Sequence, residues 1–110
     1  MPGQFLAEFE LYVMLAIAQR GDEAYGAVVR QEIEARTGRP VSIGALYTTL
    51  ARLEAKGLVV LRTTKATPGQ RGRARRYCRL TTKGVGAMEH SARMLTRMMD
   101  GLRLAHGSSR

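Results

Sequence analysis

A chain of 110 residues with 45% hydrophobic content is one small globular domain, with room for a modest core and no sign of wholesale disorder. Its one cysteine, Cys78, excludes an internal disulfide and suits a reducing compartment, while a net charge of +9 calls for an anionic partner. The charge is uneven: Leu58 to Lys83 holds eight Lys/Arg and no Asp/Glu, residues 1–57 hold six basic against seven acidic residues, and residues 84–110 hold four against two.

The first predicted element is a helix. Phe5, Phe9, Tyr12, Val13, Ala16 and Ile17 recur at helical spacing, and Leu6, Met14 and Leu15 add apolar surface on other faces, so this helix should be buried against more than one neighbour. The apolar run Leu11–Ala18 is too short to span a bilayer. Glu8 and Glu10 stand where a signal peptide would carry Lys or Arg, and a cytoplasmic, nucleoid-associated protein is expected. Gly21 is a natural C′ residue. Asp22 offers an N-cap for a second helix to about Arg36, with Tyr25, Val28, Val29 and Ile33 as its apolar stripe, ended by Gly38 and Pro40.

Ser42 caps a third helix, Ile43 to Lys56, closed by Gly57. Ile43, Leu46, Leu50 and Leu53 share a core-facing side. At about 100° per residue the opposite face carries Gly44, Ala45, Thr48, Arg52, Ala55 and Lys56. After Gly57 the period changes. Leu58–Leu61 reads as a short strand, Thr67–Gly72 has turn chemistry, and Arg75–Leu80 resumes a strand with Arg75, Tyr77 and Arg79 on one face and Cys78 and Leu80 on the other. Residues 58–80 are thus a hairpin with a long basic tip. Thr81 caps a last helix whose apolar residues Val85, Met88, Ala92, Leu95, Met99 and Leu102 fall at intervals of 3, 4, 3, 4 and 3, an a/d seam of about two and a half heptads. The tail from His106 is polar.

Three helices followed by a hairpin is the order of a winged helix-turn-helix, mainly α with a small β-hairpin. Residues 1–81 would form the DNA-binding domain and 82–110 a C-terminal dimerisation helix with a polar tail. The third helix is small near its N-terminus, so it can approach base edges; Thr48 can contact bases and Arg52 can read guanine. Ser42 and the free amides of the first turn suit a phosphate oxygen. Tyr47 lies at the edge of the core face, either as a boundary aromatic or with its hydroxyl on a phosphate. Lys65, Arg71, Arg73, Arg75 and Arg76, with no acid nearby, suit a wing lying along the phosphate backbone, one arginine reaching the minor groove.

Two segments carry a resemblance. Tyr25-Gly26 and the stretch Ser42 to Leu58 (SIGALYTTLARLEAKGL) resemble the second-helix opening and recognition-helix signature of the PadR family of bacterial transcriptional regulators. Gly72 to Gly84 (GRARRYCRLTTKG) is similar to that family's wing-to-last-helix signature. The likeness covers about residues 9–84, and the single C-terminal helix resembles the short-chain branch, whose last helix dimerises. Ala74 stands where the family often has Pro and Cys78 where it often has an aromatic residue. Some short-chain members stack flat drugs on a Trp; this chain has none, so multidrug sensing is not expected.

Other chemistries find little support. His90 and His106 are too far apart for an adjacent-turn metal pair, and His90 beside Ser91 does not face it on a helix. No carboxylate pair, phosphate-cradling loop or nucleophile–base set is present, so neither an enzyme, a metal nor a cofactor is expected. Cys78 reads as a small buried hydrophobe; a redox role would rest on nearby arginines lowering its pKa. Met88, Met94, Met98 and Met99 suit dimer packing, or the lining of a small apolar or aromatic effector site at the dimer interface. The expectation is a homodimeric repressor on a pseudo-palindromic DNA operator, with Phe5, Phe9, Tyr12, Val85, Met88, Ala92, Leu95, Met99 and Leu102 at the dimer interface, and no membrane partner. An RNA- or ribosome-associated basic protein, or a protein–protein module docking an acidic partner, shares the charge without requiring the dimer seam.

Overall fold

The computed structural model describes residues 6–64 and 75–102. Phe5, Lys65, Arg71, Arg73, the expected Thr67–Gly72 turn and the tail from His106 therefore lie outside the described residues. The centre of the fold is α1 (Glu8–Arg20), which packs on every later helix and on the hairpin, as its apolar residues on several faces require. Leu11, Val13, Met14, Ala16 and Ile17 are its buried apolar residues.

The second helix starts later than its sequence suggests. Asp22 sits in a 3-10 turn, Gly21–Glu23, and α2 is Gly26–Thr37, with Tyr25 in extended conformation at the N-cap and no side-chain cap. Pairing with a distant strand takes up the intervening residues: Ala24 O accepts a hydrogen bond from Cys78 N (2.7 Å), and Tyr25 bridges to Tyr77. The turn after α2 is tied by side chains. Glu34 Oε2 accepts from Val41 N (2.7 Å), while Thr37 Oγ1 accepts from Arg39 N (3.2 Å) and donates to Ile33 O (2.8 Å). The carboxylate and hydroxyl acceptors pair loop amides, and the Thr37 hydroxyl bonds back to a carbonyl of its own helix.

Ser42 caps α3 (Ile43–Ala55) as expected, its Oγ accepting from Ala45 N at 3.0 Å. Leu46, Leu50 and Leu53 are fully buried and Thr49 joins them on that side. Ile43 does not: in the first turn, ahead of the packed part of the helix, it is 46% exposed. Strands β1 (Val59–Thr63) and β2 (Arg76–Leu80) pair antiparallel, with Val59 opposite Leu80 and Leu61 opposite Cys78. These four turn towards the core, whereas Val60, Arg62 and Arg79 are exposed, as strand alternation dictates.

The last helix, α4 (Thr82–Met99), is joined tightly to the end of α3. Thr81, its N-cap, accepts from Gly84 N (2.9 Å) and donates to Gly57 O (2.7 Å). Thr81 N donates to Leu58 O (3.0 Å), and Lys83 Nζ donates to Lys56 O (3.0 Å). Gly84 lies against the Leu58 carbonyl so closely that a β-carbon there would collide with it. Beyond Met88 the helix leaves the body. Leu95, Met98 and Met99 are exposed, Met98 to 79%, and the radius of gyration is 16.3 Å against about 13 Å for a compact chain of this length. The expected seam loses its last position: Asp100 is extended and Gly101 has a positive φ, so the helix stops at Met99 and Leu102 lies exposed beyond it. No helix among the described residues is long and apolar enough to cross a membrane.

Candidate nucleic-acid interface

The cap at Ser42 and the anchors Leu46, Leu50 and Leu53 fix which side of α3 looks outward. That side presents Ser42, Gly44, Ala45, Thr48 and Arg52, all exposed, as the spacing predicts. Lys56 departs from the expected face. It is half-buried, with Nζ 2.9 Å from Glu10 Oε2 and 3.2 Å from Oε1. The outward face of α3 is thus small and neutral at its start and carries Arg52 one turn after Thr48.

Tyr47 takes the boundary-aromatic role, one of the two that its position left open. Its ring is half-buried against Gly26 at the start of α2, where only a glycine leaves room for the phenol end. On its other side the guanidinium of Arg76 lies over the ring, 5.1 Å from the centroid. A second such pair sits beside it. Arg75 lies 4.5 Å over the ring of Tyr25, which meets Tyr77 edge-on with centroids 5.5 Å apart. Both arginines are exposed. Successive strand residues point to opposite faces, so Arg75 and Arg76 reach different tyrosines and together hold the base of the wing to the starts of α2 and α3. Planar guanidiniums stacked on rings keep their N–H edges free for oxygen acceptors. Lys65, Arg71 and Arg73 lie outside the described residues.

Helical spacing puts Tyr25 in an apolar stripe and gives no hint of this tyrosine–arginine cluster. The Tyr25-Gly26 pair was a local signal for it; the partner Tyr77 lies across the sheet and had none. The Glu10–Lys56 pair has no local signal either, its members being 46 positions apart. Burial alone would push the Glu10 carboxyl up, but the Ala7 amide, the Lys56 ammonium and the Arg52 charge outweigh it and hold it below its ordinary 4.5. For Cys78, burial wins: the thiol rises from 9.0 to about 11, and Arg76 opposes that only weakly. Cys78 is the small buried hydrophobe that was expected, 4% exposed, and the condition for a redox role is not met, because desolvation of the thiolate exceeds the pull of an exposed charge.

Of the expected dimer-interface residues, Phe9, Tyr12, Val85, Met88 and Ala92 are half-buried, and Leu95, Met99 and Leu102 are exposed. Between α1 and the α2–α3 turn a groove of about 400 Å³ is bounded by Phe9, Tyr12, Arg39, Val41, Ser42 and Ala45. Among the described residues no three of His, Cys, Asp and Glu are grouped as metal ligands would be.

Comparison with known proteins places this geometry in a family. The "F93 from STIV" structure, described as a winged-helix DNA-binding protein, superposes with a TM-score of 0.67, covering 91% of this chain and 100% of that one at 19% identity; it bears on the fold alone. A PadR family transcriptional regulator from Eggerthella lenta is 27% identical with a TM-score of 0.63, covering 84% and 82% of the two chains. Transcriptional regulator Rv3488 of Mycobacterium tuberculosis is 43% identical over 74 residues, or 67% of this chain and 64% of that protein. The chain thus matches just under two thirds of the length of that curated relative. The family described as "Transcriptional regulator PadR-like family", a family of regulators and not of enzymes, is matched over residues 14–90. The fold is a winged helix, and the chain belongs to the PadR-like family of transcriptional regulators.

Proposed function

We propose that the protein is a sequence-specific, double-stranded DNA-binding repressor that acts as a homodimer on a pseudo-palindromic operator, in the cytoplasm where that DNA lies. The observation that carries the DNA reading is the outward row of α3, Ser42, Gly44, Ala45, Thr48 and Arg52, flanked by Arg75 and Arg76 held on Tyr25 and Tyr47. Small residues and Thr48 would enter the major groove, and Arg52 would read a guanine edge. Ser42, Tyr47, Lys65, Arg71, Arg73, Arg75 and Arg76 would contact phosphates and position the helix.

The dimer reading is supported by the apolar side of the projecting half of α4, where Leu95, Met98 and Met99 lack cover, with Leu102 exposed just past its end. A two-fold pairing would join this side, with Val85, Met88 and Ala92, to Phe5, Phe9 and Tyr12 of the other copy. The groove that joins Phe9 and Tyr12 to Ser42 and Ala45 offers a small apolar or aromatic effector a position next to both the dimer face and the reading helix.

Titration of the full chain against duplex DNA selected from a random pool tests the reading. With six or more phosphate contacts, affinity should fall roughly 10³-fold between 50 and 200 mM salt. The selected duplex should be a pseudo-palindrome with half-sites about 10 bp apart. A flat salt response removes the electrostatic basis. Preference for structured RNA, or no binding to either nucleic acid, favours the ribosome-associated and protein-docking alternatives respectively.

A further inference from the structure

Gly44, Thr48, Arg52 and Lys56 follow one another at four-residue intervals along α3, a single row drifting slowly around the helix. The row ends in a lysine that faces inward. Glu10, from the first turn of α1, is the one buried carboxylate among the described residues, its side chain 5% exposed. Its Oε1 accepts the Ala7 amide at 2.9 Å, and both oxygens take the Lys56 ammonium. Lys56 in turn keeps 30% of its side chain exposed, so its flexible stem could swing the charge to solvent if the carboxylate were absent.

Stability alone is a weak reason for such a pair. Burying two charges costs desolvation energy, and apolar residues of similar size in both positions often serve a fold equally well. Its distinctive effect is on where charge is placed. A lysine free at the end of the reading row would meet phosphate in any duplex and add affinity without regard to sequence. We propose that Glu10 is a specificity-determining residue: it withdraws Lys56 from the DNA-facing row and leaves Arg52 as the one exposed cation there. This rests on the DNA-binding reading of α3.

The experiment uses the full chain, its best duplex selected from a random pool, and a scrambled duplex of equal composition, titrated from 50 to 200 mM KCl. Glu10→Gln keeps an acceptor for the Ala7 amide and removes the charge that holds Lys56. Its log K against log salt slope should steepen by about 0.9 per subunit. Affinity for the scrambled duplex should rise, and the ratio of selected to scrambled binding should fall. The double variant Glu10→Gln/Lys56→Gln should return to the parent slope, which loss of a merely structural contact would not produce. A parent-like slope and ratio in Glu10→Gln, or a steep slope that persists in the double variant, overturns the proposal. If circular dichroism shows that Glu10→Gln does not fold, Lys56→Gln alone decides. An unchanged slope agrees with a lysine already withdrawn; a slope flatter by about 0.9 per subunit means that Lys56 touches phosphate, and overturns it. Absence of any duplex binding by the parent chain overturns the DNA reading itself, an outcome distinct from every one above.

Discussion

At the residue scale, the tyrosine–arginine cluster makes Gly26 a test of the interface. A methyl group there meets the Tyr47 phenol, so Gly26→Ala should displace that ring from under Arg76. Alanine is otherwise the better helix former, so DNA affinity should drop at least several-fold while Tm changes little. Parallel binding and melting curves check this. Roles also separate by residue: Thr48→Ala or Arg52→Ala should change sequence preference, by about 1–3 kcal/mol per lost base contact. Arg75→Ala should weaken binding to all duplexes alike and flatten the salt slope by about 0.9 per subunit. Competition binding against single-base operator variants distinguishes the two outcomes. Stability should depend on pH at both ends. Glu10 titrates below 4.5 in the folded chain, so its contribution is present above 4.5 and is lost as pH falls through the lowered value. Cys78 titrates at about 11 against 9.0 when free, so its contribution is complete below 9.0 and is lost as pH rises towards 11. Tm measured across pH should show a plateau between these limits.

At the scale of elements, local rules served well wherever one element decides its own boundary. The Ser42 cap, the Leu46–Leu50–Leu53 side of α3, the strand alternation around Cys78 and the Thr81 cap were all legible, because each depends on residues within a turn or two. The start of α2 was not. Asp22 is a good cap by type, but the chain from Ala24 to Tyr25 is paired with β2 more than fifty positions later, and that pairing wins. The inward turn of Lys56 has the same origin in a partner from α1. The tyrosine–arginine contacts joining α2, α3 and the wing were equally hidden, being tertiary. The close seating of α4 gives a paired test. Gly84→Ala drives a methyl group into the Leu58 carbonyl and should cost about 1–3 kcal/mol. Gly86→Ala, two residues on and facing open space, should stabilise by up to about 1 kcal/mol through helix propensity. Chemical denaturation of both variants checks the contrast.

At the scale of the molecule, the projecting half of α4 and the body have different dependences. Leu95→Glu and Met99→Glu place charge on the uncovered apolar side without touching the core. In the proposed dimer they should give a folded monomer by sedimentation, with near-parent helicity and operator affinity reduced by a factor of 100 or more, since a half-site alone offers half the contacts. A stable dimer in both variants would place the subunit contact elsewhere. The junction between α3 and α4 carries a further consequence. Thr81, Lys83 and Gly84 bind the first turn of α4 to Lys56, Gly57 and Leu58, the residues that close α3, and α4 is 18 residues, or about 27 Å, long. Such an arm works as a calliper: a displacement of roughly 2 Å at its outer end corresponds to roughly 4° of tilt at the reading helix. In the proposed dimer, changes in how two arms cross would then be gauged as changes in the distance between half-sites, and operator spacing would read out events at the far end of α4.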